Sequence, residues 1–169
     1  CLDVTEEVID EAIELGCNII VARHPLIFKK LSCITDTTLV QRCVIKALQN
    51  NITIVAMHTN IDSAVNGVNF KIAEKLNMHD LQFFGGTKDV DGVAGGSGVI
   101  GQLAQPLNAN EFISLLKRTF DVACVQCNEL LKRPISKVAL CGGAGSFLLN
   151  DAIKAGADAF ITGEMHYHD

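Results

Sequence analysis

The sequence predicts an α/β protein of two similar, linked α/β domains, each with a mainly parallel sheet covered by helices. Two observations lead to this fold class. Short apolar runs rich in β-branched residues alternate with helical stretches, and a segment near the start of the chain recurs near its end. Strands that are apolar on both faces are typical of parallel sheets, because helices cover both sides of such sheets.

The first half is predicted over residues 1–81. A helix is expected from Thr5 to Leu15, since Thr5 is a good N-cap and Gly16 supplies a C-terminal stop. The other elements follow from helical spacing of apolar positions or from short β-branched runs. We predict helices over residues 37–49 and 68–76, and buried strands over residues 18–22 and 52–57.

Residues 82–98 contain six glycines and little periodicity. This stretch is predicted to be a glycine-rich junction, a loop or linker. The second half is predicted over residues 99–169 and is expected to be incomplete at its C-terminal end. Its first helix starts at Asn108, an N-cap followed by Glu111. Strands are predicted over residues 137–141 and 158–162, and helices over residues 108–120 and 148–155.

The recurring segment covers residues 1–24 and 141–164, which align without a gap. Each copy reads as a turn, a helix, a glycine stop (Gly16 or Gly156) and a strand, which indicates an internal repeat. The alternative is two unrelated βαβ units that have similar turns and helix ends. A strand, KVAL, precedes the second copy, whereas the first copy starts at Cys1, so we expect the chain to begin within a strand.

Composition excludes several classes of protein. Hydrophobic residues make up 49% of the chain, which is enough for a packed core and argues against disorder. The net charge of -5 argues against a nucleic-acid partner, because phosphate binding needs clustered Lys and Arg. No apolar run reaches the roughly 20 residues of a membrane span. We therefore expect a cytoplasmic protein without a membrane segment.

Seven cysteines with irregular spacing predict reduced, buried thiols in a reducing compartment. Cys124 and Cys127 form a C-x-x-C motif, for which a redox or zinc role is the alternative.

Polar side chains follow the predicted strands of the first half. His24 comes after NIIVA, and His58 and Asp62 come after ITIVA, four residues apart. The carboxyl ends of parallel strands lie at the same edge of a sheet, and ligands commonly bind at that edge. His and Asp are ligands for zinc, manganese or iron. For His24 the alternative is a structural histidine. For His58 and Asp62 it is an Asp that caps the next helix, with a structural His nearby.

The end of the chain, GEMHYHD, carries Glu164, His166, His168 and Asp169 after the last predicted strand. In the repeat, Arg23 and His24 fall on Gly163 and Glu164, so both halves would offer polar groups to a shared site. We therefore expect Arg23, Glu164 and His168 to line the site. A solvated tail is the alternative.

Several blocks together resemble one family. They are VARHPLIF, MHTNIDSAVNGVN, GGSGVIGQL and the last 33 residues from KVALCGGAGS onward, in this order. The chain is similar to the Nif-three-like family, whose members are also named GTP cyclohydrolase 1 type 2 homologs. The resemblance implies two linked α/β domains, assembly into a homohexamer and a dinuclear metal centre. Metal-dependent hydrolysis is the activity usually inferred for the family.

Residue by residue, the resemblance implies that His24 and Asp62 are metal ligands and that His58 lies beside the metals. Arg23 stands where the family has its first ligand histidine, and Arg cannot ligate because it stays protonated. The family also has an H-x-x-x-E pair further along than this chain extends. Up to two divalent ions per chain are therefore implied for the family, and fewer for this sequence. Some members carry a small extra domain near residues 82–98, so the resemblance implies that an insert is absent from this junction.

Two functions are consistent with these features. The first is a divalent-metal-dependent hydrolase of the GTP cyclohydrolase 1 type 2 kind, acting on a nucleotide or similar phosphorylated small molecule. The second is a non-catalytic, ring-forming scaffold or interaction protein that binds metal or nucleotide. The sequence assigns no catalytic residue.

Overall fold

The computed structural model describes residues 1–165 and 168. The chain forms two compact units, Cys1–Asn60 and Ile61–Asp169. The sequence-based prediction instead ended the first half at residue 81. The segment over residues 61–81 groups with the second unit because its helix and strand pack on that unit's core, which includes Ala73, Leu76 and Met78.

The first unit is a two-stranded parallel sheet with two helices. It contains α1 (Glu6–Glu14), β1 (Ile19–Ala22), α2 (Leu39–Gln49) and β2 (Thr53–Ala56). β1 pairs in parallel with β2, in a register that places Ile20 opposite Ile54. Ile9 of α1 and Cys43 of α2 are fully buried in the core that the helices share with β1.

Local capping explains where the helices begin. Thr5 Oγ1 accepts a hydrogen bond from Val8 N at 3.3 Å, as its predicted N-cap role requires. Thr38 and Gln41 form a reciprocal capping box at the start of α2. The capping box predicted for Asn108 and Glu111 is also present, at the start of α5 (Ala109–Phe120).

A short helix, α3 (His58–Asp62), follows β2, and the boundary between the units falls inside it. The second unit then contains α4 (Val68–Lys75), β3 (Met78–Phe84), β4 (Lys88–Val90), β5 (Val93–Gly95), β6 (Gly98–Leu107), α5, β7 (Ile135–Cys141), a 3-10 turn (Ser146–Leu148), α6 (Leu149–Lys154) and β8 (Ala159–Thr162). Its main sheet has the strand order β3-β6-β7-β8.

The prediction of mainly parallel sheets is wrong for this second sheet. Only β7 and β8, joined through α6, are parallel, whereas β3–β6 and β6–β7 are antiparallel. Two successive strands that pair in parallel need a crossover connection, which brings the chain from the end of the first strand back to the end of the sheet where that strand began. Leu107 at the end of β6 pairs with Ile135 at the start of β7, so that connection returns to the same end.

The glycine-rich junction is more ordered than a linker. Within residues 82–98, β4 and β5 form an antiparallel hairpin. Its two central residues, Asp91 and Gly92, have φ of +53° and +80°. An Asp-Gly pair between two valines is a strong hairpin signal. Strands of three residues are too short to show a clear periodicity, so the sequence pattern alone resembles a linker.

The repeat is present in the local structure. α1 and α6 end at Glu14 and Lys154, and β1 and β8 cover residues 19–22 and 159–162. Gly16 and Gly156 have φ of +66° and +72°, a left-handed conformation that ends both helices in the same way. The equivalence of the remaining parts of the two halves stays a prediction.

The seven cysteines have the expected reduced state but not the expected burial. All seven are free, but only Cys43 and Cys141 are buried and the other five are exposed. The prediction of buried thiols is therefore wrong for those five, which lie at loops, helix ends or turns rather than inside strands. Among the residues that the structure describes, no helix is long and apolar enough to cross a membrane.

Asp158, at the start of the last strand, anchors the second copy of the repeat. Its carboxylate accepts hydrogen bonds from the backbone N–H groups of Ser136 and Lys137 at 2.9 Å each, and it pairs with the Arg133 guanidinium. Burial opposes ionisation, but the N–H of Lys137, the Arg133 side chain and the N–H of Ser136 together lower the pKa of this carboxyl below its usual range.

We expect Asp158→Asn to lower the free energy of unfolding by about 2 kcal/mol at neutral pH, since hydrogen bonds to a charged group are lost. Because the folded-state pKa is depressed, the stabilisation is present above the unfolded pKa and is lost as pH falls through the folded value. Urea unfolding between neutral and acidic pH should therefore show a weaker acid destabilisation in the variant. The control is Asp151→Asn, a half-exposed carboxyl on α6. Identical pH profiles for wild type and Asp158→Asn would contradict this assignment.

Candidate functional site

Backbone pairing continues past the ends of β1 and β2. Met57 N donates to Ala22 O at 2.8 Å, and His58 N donates to Arg23 O at 2.9 Å. The parallel register therefore holds beyond the strands, and the residues that follow the two strands lie side by side. This is the sheet edge at which the sequence predicts a site.

His24 and His58 lie together at this edge. Their ring centroids are 6.2 Å apart and the rings are inclined by 64°. His24 N also donates to Leu2 O at 3.0 Å, which fixes the backbone on the side away from β2. Two imidazoles are therefore presented by rigid, hydrogen-bonded backbone rather than by a flexible loop.

Asp3 is a site residue that the sequence reasoning missed. Its Oδ1 lies 2.8 Å from His24 Nδ1. An ionised carboxylate only accepts hydrogen bonds, so Nδ1 carries the proton, and in the neutral ring Nε2 keeps its lone pair. Carboxylates orient metal-binding histidines in this way. The available signal was the expectation that the chain begins within a strand, because such a strand can pair with β1. In the structure, His24 N donates to Leu2 O, which brings Asp3 close to His24.

His58 and Asp62 are the first and last residues of α3, four positions apart, a spacing that places both on one side of a helical turn. His58 has a φ of +21°, at the edge of the left-handed region. Asp62 is only 9% exposed. Burial raises the pKa of the nearby Cys141 thiol, and the negative charge of Asp62 raises it further, so Cys141 stays protonated.

Arg23 is half-buried, and its backbone N donates to Cys1 O at 3.0 Å. Its guanidinium is permanently charged, so it adds a cation to a segment with two histidines. This position therefore suits an anion such as a phosphate group better than a second metal ion.

The end of the chain is described only in part. Glu164 and His168 are exposed, and His166 and Asp169 lie outside the described residues. Before this segment, Thr162 Oγ1 donates to Gly143 O at 2.9 Å and accepts from Gly145 N at 2.8 Å, which closes the glycine turn after β7 onto the end of β8. The expectation that Glu164 and His168 line the site stays a prediction.

The side chains at this edge of the sheet are of the types that bind divalent cations. Imidazole and carboxylate groups suit zinc, manganese or iron, and the Asp3–His24 pair is the outer contact that such a ligand requires. Over residues 1–165 and 168, no group of three or more His, Cys, Asp or Glu side chains is arranged to hold a metal ion. The chemistry of these residues fits a metal, and the assignment of His24, His58 and Asp62 as ligands stays a prediction.

Relatives of known sequence cover almost the whole chain. A GTP cyclohydrolase 1 type 2 homolog from Clostridium perfringens is 38% identical over 167 residues, which are 99% of this chain and 63% of the relative. NGG1-interacting factor 3 from Saccharomyces cerevisiae is 31% identical over 182 residues, covering 99% of this chain and 62% of that protein. The chain therefore spans a little under two thirds of these relatives.

The fold is shared with solved structures. The crystal structure of a Bacillus cereus protein related to NIF3 matches with a TM-score of 0.80 and 26% identity, over 99% of this chain and 72% of that one. The model of the Duf34/NIF3 (NGG1p interacting factor 3) family matches residues 1–169. This mixed α/β chain belongs to the Duf34/NIF3 family and is homologous to the GTP cyclohydrolase 1 type 2 homologs.

Proposed function

We propose that this protein binds a divalent metal ion and hydrolyses a nucleotide or a similar phosphorylated small molecule. The observation that carries the proposal is the pair of imidazoles at the ends of β1 and β2, with Asp3 orienting His24. The names of the relatives, GTP cyclohydrolase 1 type 2 homologs, agree with this class of reaction.

Each residue has a part in the proposed chemistry. His24 and His58 would hold the ion, and the family resemblance adds Asp62. When bound, the ion supplies Lewis acidity that polarises a phosphoryl group or a ring carbon. Asp3 keeps the proton of His24 on Nδ1, away from the metal-binding nitrogen. Arg23 would bind a substrate phosphate, because a guanidinium pairs with phosphate through two parallel hydrogen bonds.

The second candidate is a non-catalytic scaffold that binds metal or nucleotide in a ring of subunits. Arg23 favours it, because it replaces a ligand that the family resemblance implies.

We propose that the protein assembles with copies of itself under either function, and the resemblance implies a homohexamer. Leu15, Phe28 and Leu48 are between 67% and 79% exposed, and apolar side chains of this size on a surface mark interfaces when they cluster. We also propose a cytoplasmic location, because all seven cysteines are free, as is usual in a reducing compartment.

Metal content and turnover measured together decide between the two functions. We expect the purified protein to retain zinc, manganese or iron, and to hydrolyse nucleotides only when metal is bound. His24→Ala should abolish both properties, since it removes a ligand on a rigid strand end. His79→Ala is the matched control, because His79 Nδ1 also pairs with a carboxylate, Asp80, at 2.8 Å. Bound metal without turnover would favour the scaffold, and no bound metal would exclude both metal-dependent forms.

We expect Asp3→Asn to weaken Co²⁺ binding by about 10–100-fold, because loss of an orienting carboxylate costs this much in other metal sites. The variant keeps the size of the side chain but not its charge. Asp80→Asn removes the equivalent partner of His79 and should leave Co²⁺ affinity unchanged. Equal affinities for Asp3→Asn and wild type would mean that the Asp3–His24 pair is only an exposed ion pair, which contributes little.

Arg23→His should raise the affinity or the number of metal ions bound. The change removes a permanent positive charge and restores an imidazole where the resemblance implies a ligand. We expect a gain of at least about tenfold in affinity, or about 1.4 kcal/mol. Elemental analysis and Co²⁺ titration measure it, with Arg118→His on α5 as a control for adding a histidine. A wild-type protein that already holds two ions, with no further gain, would contradict the placement of Arg23.

A further inference from the structure

Asn69, the second residue of α4, is completely buried. Its Nδ2 donates to Asp62 O at 3.0 Å and to Ser97 O at 3.1 Å, and its Oδ1 accepts from Gly142 N at 2.8 Å. One amide therefore pairs with backbone groups of three separate segments of the second unit. These are the end of α3, the residue before β6 and the residue after β7.

The turn before Asn69 leaves no space for a side chain at Gly67. A Cβ added at Gly67 would lie 1.8 Å from Ile61 O and 2.9 Å from Ala64 O. The φ of Gly67 is -75°, which any residue adopts, so glycine is required here for space and not for conformation. The segment that carries Asp62 thus packs directly on the backbone at the start of α4.

The segment cannot hold this position by its own helical structure. α3 has five residues, and a helix of one turn is unstable in isolation because nucleation is unfavourable. The last carbonyls of a helix also have no partner within it. Asn69 supplies that partner at Asp62, and it bonds at the same time to two strand ends of the main sheet.

We propose that Asn69 is a positioning residue that fixes the backbone of Asp62 for metal binding and ties it to the glycine turn after β7. The inference rests on the proposed function, because Asp62 acts as a ligand only there. Asn69 itself is too buried to contact substrate. Its effect passes through the carbonyl of Asp62 on one side and through the N–H of Gly142 on the other.

A merely structural amide is the competing explanation, so the variants must separate stability from metal binding. Asn69→Asp is nearly isosteric and keeps an acceptor for Gly142 N–H, but it turns an oxygen towards the carbonyls of Asp62 and Ser97. Asn69→Ser keeps a single small polar group, as a second variant. Gln41→Ala is the control, since Gln41 is the buried amide of the α2 capping box and is 7% exposed.

The experiment is a Co²⁺ titration of the purified protein, followed by visible absorption, with urea unfolding of each variant. We expect Asn69→Asp and Asn69→Ser to bind Co²⁺ about 10–100-fold more weakly and with shifted absorption bands, as for other outer contacts of metal ligands. Gln41→Ala should lose stability but keep the affinity and spectrum of wild type. Wild-type affinity and spectrum in folded Asn69 variants would overturn the positioning role while leaving the proposed function intact. A wild-type protein that binds no Co²⁺ would overturn both.

Discussion

The candidate site depends on the parallel backbone pairing of β1 with β2. The ladder does not end with the strands, because Met57 and His58 donate to the carbonyls of Ala22 and Arg23. This continuation converts two sequence-distant histidines into neighbours with fixed backbones. A parallel ladder needs a long crossover, which α2 supplies, and the helix in turn is held by burial of Cys43 and Ala47 against the sheet.

The local repeat places a short polar segment after the strand of each copy, but the residues in the two segments differ. Both copies share a helix, a left-handed glycine and a strand. In the first copy the strand is followed by Arg23 and His24, whereas in the second it is followed by Gly163 and Glu164. Equivalent strand ends of the two copies therefore carry different side chains, as is usual when function lies in residues placed on a common fold.

The second unit relies on antiparallel pairing and on a buried polar network. The buried Asn69 accepts from the backbone N–H of Gly142, and the half-buried Thr162 pairs with backbone groups of Gly143 and Gly145. Buried polar groups that are fully paired rigidify a structure, whereas a single unpaired group in the same place is costly. This network gives a role to three glycines, an asparagine and a threonine that hydrophobic patterning alone does not explain.

The sequence by itself determined the local elements, because caps, glycine stops and β-branched runs act within a few residues. It placed α1, the α5 capping box, β1 and both copies of the repeat correctly, and it singled out His24 and His58. Tertiary structure decided what depends on contacts between distant segments. It set the antiparallel pairing of β3, β6 and β7, the limits of the two units, the Asp3–His24 contact and the burial of Asn69. Strand order and side-chain partners leave no periodic pattern in the sequence, because they arise only when distant segments of the chain come into contact.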